Sequence, residues 1–573
     1  DEANELRGIE RRHLNKTLNE FKRAGATLPT DRKNRLQALQ VELAQTQQKF
    51  SENVLDATAA WELLVTDESR LDGVPEAAKR RFSARADENG DEGWTLTLDY
   101  PSVEPILKHC KDSELRHEVF VAYTTRCREG EHDNRPLLAR ILRMRDEIAH
   151  ILGYGGFPDY VLADRMAGTA VRAVSFEQDL TERTQPYWQR DAKQLSDHAK
   201  SLGLDTLKPW DVAFVTEDLR KTRYDIDDEI LRPYFPLDQV LKGMFEIVHK
   251  TFGFRIEEKQ IDEVWHEDVR FYEIYDESRT MLGAFYTDWF PRKEKRQGAW
   301  MNNFITGGPT HIGFAPHLGV MCGNFTPPEG EDQALLTHRE VQTTFHEFGH
   351  LLHHCASRVP IPSRAGIHVA WDWVELPSQL MENWTWEREA LDLFAKHNET
   401  GEALPDELYS RLIAARQFVS GWTQMRQLAL GTIDLELHEQ MARKLRGDAE
   451  RQEVSEELDA VQGNEVMEFA RSRFTDFAPA PEFAAFHILT SFTHIFAGGY
   501  AAGYYSYLWS EVLDADVFTR FRNEGIFNRE TGRLYVDSIL SRGDSDDPDT
   551  LFLEFMGRAP NPGALLERNL GTL

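Results

Sequence analysis

Apolar residues recur at helical spacing through most of the first half of the chain. In NRLQALQVELAQTQQKFSENVL, Leu36, Leu39, Leu43 and Phe50 fall on one face of a long helix. ADENGDEG, from Ala86 to Gly93, reads as a turn. WTLTLDYP after it alternates large apolar residues with Thr and stops at Pro101, the pattern of a short strand. Helical periodicity resumes from Val103 to Leu152 and again after Pro236. The texture changes between about Ile256 and Asn324. VRFYEIYD, TMLGAFYTDWF, GAWMNNFI, THIGFAP and GVMCGNF are short, aromatic or β-branched, and separated by Gly, Pro and charged turns. They predict a small sheet, closed by TPPEGED. After Glu331 helical patterns dominate to the end. The expected fold is mainly α with a small β-sheet, and no fixed-period repeat interrupts it.

The helix that follows the sheet carries the first chemistry. In LTHRE, Thr337 as N-cap and Glu340 three residues on form a capping box. From His338 onward, Val341, Phe345, Phe348, Leu352 and Cys355 share one apolar stripe. His346 and His350 lie four apart, about 40° from each other by the helix repeat, so their imidazoles can converge on one metal. Glu347 sits between them, turned from direct ligation but within reach of a metal-bound water. This is HExxH, the pattern of a zinc-activated water with a carboxylate base. Chance predicts on the order of 0.05 such matches in a chain of this composition. A histidine-rich solvated face is the bland alternative. His353 also falls on the ligand face and competes as a ligand; a role behind the ligands or toward substrate is favoured, because a candidate carboxylate ligand lies further along. His354 points elsewhere. Gly349 costs about 1 kcal/mol against Ala inside a helix, and close approach of another backbone would explain it.

Composition narrows the function classes. The chain has 573 residues, 41% hydrophobic, with 96 acidic against 66 basic residues and a net charge of -30. Such a field disfavours nucleic acid and anionic lipid as partners. Four scattered cysteines without a CxxC fit a reduced, cytoplasmic protein. No run of about 18 apolar residues is present, so no transmembrane helix is expected. The N-terminus DEANELRGIE is polar and acidic, does not read as a signal peptide, and lacks a starting Met.

A second stretch, DWVELPSQLMENW, holds Glu375, Gln379 and Glu382 at helical spacing, beginning about 25 residues after His350. That leaves room for a loop and a return onto a second helix. FHEFGHLLHH followed by GIHVAWDWVELPSQLMENW resembles the M3 family of zinc oligopeptidases, and its bacterial oligopeptidase branch in particular. KRQGAWM, CGNFTPP, HIFAGGYAAGYYSYLW and SILSRGDSDDP carry the likeness over most of the chain. The resemblance implies a two-lobed, gluzincin-type zincin peptidase with a deep substrate channel and the small sheet beside its active site. It implies one Zn²⁺ per chain on His346, His350 and Glu375, with Glu347 as general base. Asp372 and Glu382 fall on motif positions, with helix-pair or surface charges as the alternative reading. His368 departs from the pattern, standing where the branch more often has a small residue. By the same resemblance, the chain is expected to begin inside the family's N-terminal segment.

The third stretch is FTHIFAGGYAAGYYSYLW. On a helix, Tyr500, Tyr504 and Tyr507 would form one narrow stripe, with Tyr505 and Trp509 turned away. A phenol aimed at a developing oxyanion stabilises it; alone, such a stripe reads as core packing. The resemblance makes Tyr504, Tyr507 and His494 substrate-contacting. GVMCGNF is expected to present a sheet edge to which substrate adds by main-chain hydrogen bonds, with Cys322 a wall residue. The expected division is a mostly helical lobe, 1–240, joined by part of 530–573, and a catalytic lobe, 241–529. The expected activity is hydrolysis of internal bonds in short peptides by a zinc-bound water, in a cytoplasmic monomer. The alternatives are a dipeptidyl carboxypeptidase of the same family and a non-catalytic peptide-binding protein with structural zinc.

Overall fold

The computed structural model describes residues 6–571 except 225–227, 293–294, 296–297, 326, 329–332, 452–453 and 486. The expected closing turn TPPEGED therefore lies largely outside the described residues. The chain divides into two compact units, each built from discontinuous segments.

One unit comprises Phe21–Tyr224 and Phe418–Tyr505. Its long helix Thr30–Ala60 buries Leu36, Leu39 and Phe50, as the spacing predicts. Phe50 joins Leu138 and Leu142 of helix Arg135–Ile151, Ile433 of Ser420–Glu436, Val466 of Glu456–Phe474, and Phe496 in one apolar core. Glu62–Val65 pairs antiparallel with Trp94–Thr97, the strand expected from WTLTLDYP. The helix before it, Glu76–Asn89, runs through the first half of the expected turn and stops at Gly90, whose φ of 80° suits a left-handed C-cap.

The other unit comprises Asp1–Glu20, Asp225–Gln417 and Ser506–Thr572. It holds a five-stranded mixed sheet: β1 Arg255–Lys259, β2 Arg270–Tyr275, β3 Met281–Asp288, β4 Trp300–Ile305 and β5 His317–Cys322, in the order β1-β2-β3-β5-β4. β3 and β5 run parallel and the other neighbours are antiparallel. THIGFAP contributes only a two-residue ladder, Pro309–Thr310 against Gly313–Phe314. The GVMC strand is β5, and it is interior. The edge beside it is β4, AWMNNFI, so the expectation of an open edge at GVMCGNF is corrected.

These units cut the chain differently from 1–240 plus 530–573 against 241–529. The C-terminal helices fall with the sheet, because Tyr535 and Phe555 pack with Phe521 and Phe252 in an aromatic core. Ser420–Glu436 falls with the helical unit, where Gln424 donates to Thr184 at 2.7 Å and Gly431 lies against the Glu177 carboxylate.

Candidate metal and active site

Helix His338–Cys355 starts at the expected capping box: Thr337 Oγ1 accepts from the Glu340 N–H at 3.1 Å, and Glu340 accepts from the Thr337 N–H at 2.7 Å. Val341, Phe345, Phe348, Leu352 and Cys355 are all buried. Two sheet glycines let β3 and β5 lie close to it. A Cβ on Gly319 would come within 2.8 Å of Leu351 Cδ1, and one on Gly283 within 2.8 Å of Cys355 Sγ. The sheet thus fixes the helix and leaves His346 and His350 turned toward a second segment.

That segment is Trp371–Val374, then Glu375, then helix Leu376–Glu382. It approaches at Gly349, where an added Cβ would sit 2.4 Å from Pro377 O and 2.5 Å from Ser378 Cα. The glycine predicted to admit a backbone admits this one. Glu375 Oε2 then lies 3.3 Å from His346 Nε2 and 3.2 Å from His350 Nε2. Ligand-type atoms of all three residues fall within 4.8 Å of one another. Atoms about 2.05 Å from a tetrahedral ion stand about 3.3 Å apart, so this donor set fits zinc. Ser378 Oγ donates to Glu375 Oε2 at 2.8 Å and fixes the carboxylate. His346 Nδ1 lies 2.7 Å from Glu382 Oε1; an Nδ1–H donated there leaves Nε2 with its lone pair free. Glu382 is therefore the partner of a candidate ligand.

Electrostatics follow from burial and pairing. Burial raises the Glu347 carboxyl above its usual range, partly countered by His346 and His350. Burial pushes Glu375 the same way, but the two imidazoles win and hold it well below. Burial opposes charge on His346, while Glu375 and Glu382 raise it well above an ordinary imidazole. Two carboxylates thus favour positive charge at this spot. His353 is fully buried, neither ring nitrogen has a hydrogen-bond partner among the described residues, and burial lowers it to about 3. It is not among the converging atoms. His354 is packed, bonded to Ile305 O and in ring contact with His317. Asp372 is fully buried, which excludes a surface charge, while His368 is exposed. Cys322 is buried, its thiol pushed up to about 11.

Peptidase family M3 matches residues 106–570 of the chain. Oligopeptidase A of Salmonella typhimurium is 40% identical over 572 residues, covering 98% of this chain and 81% of that protein. The chain belongs to peptidase family M3. Dipeptidyl carboxypeptidase of Escherichia coli is 32% identical, covering 96% of this M3 chain and 78% of its own length. Among solved structures, PZ peptidase A with inhibitor 2 superposes with a TM-score of 0.51 at 15% identity, covering 95% of this chain and 76% of that one; the fold is shared. This M3 chain is a metallopeptidase, mostly helical with a small mixed sheet.

The tyrosine segment of the M3 chain is not one helix. Residues 497–505 form turns, and the helix starts at Ser506 and runs to Glu524. Tyr500, Tyr504 and Tyr507 therefore share no helical stripe. Tyr500 and Tyr504 pack on the helical unit's core, with the Tyr504 ring 5.3 Å from Phe492 and 6.3 Å from His494. Tyr507 lies half-buried in the first turn of Ser506–Glu524, in the other unit. Tyr505, turned from the stripe as expected, is 1% exposed and belongs to the core.

Asp434, a residue that sequence reasoning missed, shapes that segment. Its buried carboxylate accepts from the N–H groups of Ala502 at 2.9 Å, Gly503 at 2.9 Å and Tyr504 at 3.0 Å. Ala502 takes a φ of 51°, a left-handed turn that aims successive N–H groups at one point. His438 Nδ1 is 3.0 Å from the same carboxylate, and His438 Nε2 is 2.8 Å from Arg145 Nη1. An Asp amid the apolar positions of helix Ser420–Glu436 was the available signal.

Gly349→Ala should cost about 1–3 kcal/mol, because the new methyl meets rigid backbone rather than a flexible side chain. It should also weaken zinc binding by separating Glu375 from the histidines. Thermal unfolding with and without Zn²⁺ measures both; an unchanged midpoint in each would show that the helices can part freely.

Proposed function

We propose that this M3 metallopeptidase hydrolyses internal bonds of short oligopeptides, using one Zn²⁺ held by His346, His350 and Glu375. The observation that carries the reading is the convergence of those three side chains beside Glu347. Zinc, when bound, supplies a Lewis acid that polarises a carbonyl and acidifies water. The chain's own residues do the rest. Glu382 fixes the tautomer of His346, and Ser378 fixes Glu375. Glu347, with its carboxyl raised by burial, takes a proton from the attacking water and passes it to the departing amine nitrogen. Tyr504, Tyr507 and His494 are assigned to the substrate, as donors to the carbonyl oxygen as it becomes an oxyanion. β4, an edge strand of the sheet, is the part of it available for an extended peptide.

The relatives that bear on this reading are the oligopeptidase at 40% identity and the dipeptidyl carboxypeptidase at 32%. The second keeps dipeptidyl carboxypeptidase action as the runner-up. Cleavage of a C-terminally amidated peptide separates the two, since a carboxypeptidase needs the free carboxylate. Four buried, unpaired cysteines support a reducing, cytoplasmic setting, and no helix among the described residues is long and apolar enough to cross a membrane. A monomer acting on peptides is the simplest assembly consistent with the reading.

Digestion of a mixed peptide library, read by product mass, tests it. Peptides up to about 20 residues, which extended span at most about 70 Å, should be cut. Cleavage should stop with a chelator and return with Zn²⁺. A native folded protein should survive. Products insensitive to chelation, or equal rates on a folded protein, would refute the proposal.

A further inference from the structure

The helical unit contains a cavity of about 320 Å³ whose lining includes Trp188, Trp210, Trp422, Phe474 and Phe483. That is the size range of small-ligand pockets, and aromatic walls favour an apolar guest. Arg426, on helix Ser420–Glu436, is the one charged side chain among the described lining residues. It is exposed and makes no hydrogen bond or ion pair with any described residue. Most arginines of this chain meet a carboxylate, and acidic residues outnumber basic ones by 96 to 66. An exposed guanidinium at an aromatic cavity, with no carboxylate beside it among the described residues, is available to an anion. Its charge reaches the Tyr504 phenol, a candidate substrate contact in the same unit.

We propose that this cavity is a peptide subsite that takes a C-terminal aromatic or large apolar residue, with its free carboxylate paired to Arg426. The inference rests on the peptide-substrate reading above. Charge complementarity selects a carboxylate, because a guanidinium presents a planar fork of donors that matches it. The aromatic lining selects an apolar side chain. A C-terminal residue is the shortest unit that carries both. In an extended peptide an internal acid and its neighbour's side chain point to opposite faces, so they would not enter together.

The test is equilibrium binding to the Glu347→Gln protein, loaded with zinc and read by the change in tryptophan emission, to which the three lining indoles contribute. One short peptide is made in four forms: ending in Phe, ending in Phe-amide, ending in Gly, and ending in Phe with an internal Glu changed to Gln. Phe with a free carboxylate should bind about tenfold more tightly than its amide, the scale of one charge-assisted hydrogen bond. It should also exceed the Gly-terminated form. Arg426→Gln should erase the acid-over-amide preference and keep Phe over Gly, while Arg426→Lys restores part of the first. Ala213→Trp, which fills the cavity, should erase Phe over Gly. Equal binding of acid and amide, or a preference that survives in Arg426→Gln, overturns the proposal. So does a loss from the internal Glu→Gln change as large as that from amidation. Binding is read without turnover. Failure of the parent protein to hydrolyse any peptide would sink the catalytic reading and leave this measurement standing.

Discussion

Glu347→Gln should abolish most turnover while leaving the zinc and the fold in place. The side chain is 6% exposed and lies beside, not within, the group of three converging atoms. Gln is nearly isosteric, so packing changes little. Its amide cannot accept the proton of the attacking water. The loss should fall on kcat, by about 10²–10⁴-fold or more, because the same carboxylate also delivers the proton to the leaving amine. Peptide affinity should persist, which makes the variant a substrate trap. A structural-zinc protein predicts a different pair of results: no hydrolysis by the parent in any metal, and no change in binding on substitution. Near-parental turnover in Glu347→Gln would sink the general-base assignment whatever the family.

The local parts of this site were legible in the sequence. A capped amphipathic helix with histidines four apart is a statement about one segment, and local geometry decides it. The sheet was legible for the same reason, through short β-branched runs between turns. Strand order was not, because which strand is an edge depends on crossovers that no window of residues records; β5 entered the middle by pairing parallel to β3. Glu382's contact with His346 was also invisible, since 36 residues separate them.

The tyrosine stripe failed for a physical reason. The 3.6-residue period was carried backward from a real helix into a segment with Gly498, Gly499 and Gly503, where helix propensity is poor. There the N–H groups of residues 502–504 turn to a distant carboxylate, Asp434, instead of to carbonyls four residues back. Tertiary capture of three donors outweighed the local pattern. The compact units are cut differently from the expected lobes for a similar reason. Segments 418–505 and 506–571 are contiguous in the chain but bury their apolar faces in different cores.

His346→Ala and Glu382→Gln should separate a ligand from its support. His346 supplies one of three converging donors. Removing it leaves two of the three converging donors. Zinc retained through dialysis should fall from one per chain to near none, with activity lost in parallel. Glu382→Gln removes no donor to the metal. It exchanges the 2.7 Å carboxylate partner of His346 Nδ1 for a neutral amide. The ring keeps an acceptor but loses the negative charge that strengthens its Nε2 as a donor. Affinity should fall about 10–100-fold, the usual cost of losing such a partner. Activity should return at saturating Zn²⁺, which His346→Ala cannot achieve. Competition against a chelator of known affinity measures both variants on one scale. A full zinc complement in His346→Ala would refute the ligand set. Equal losses in the two variants would show that Glu382 itself binds the ion and that the tautomer argument is mistaken.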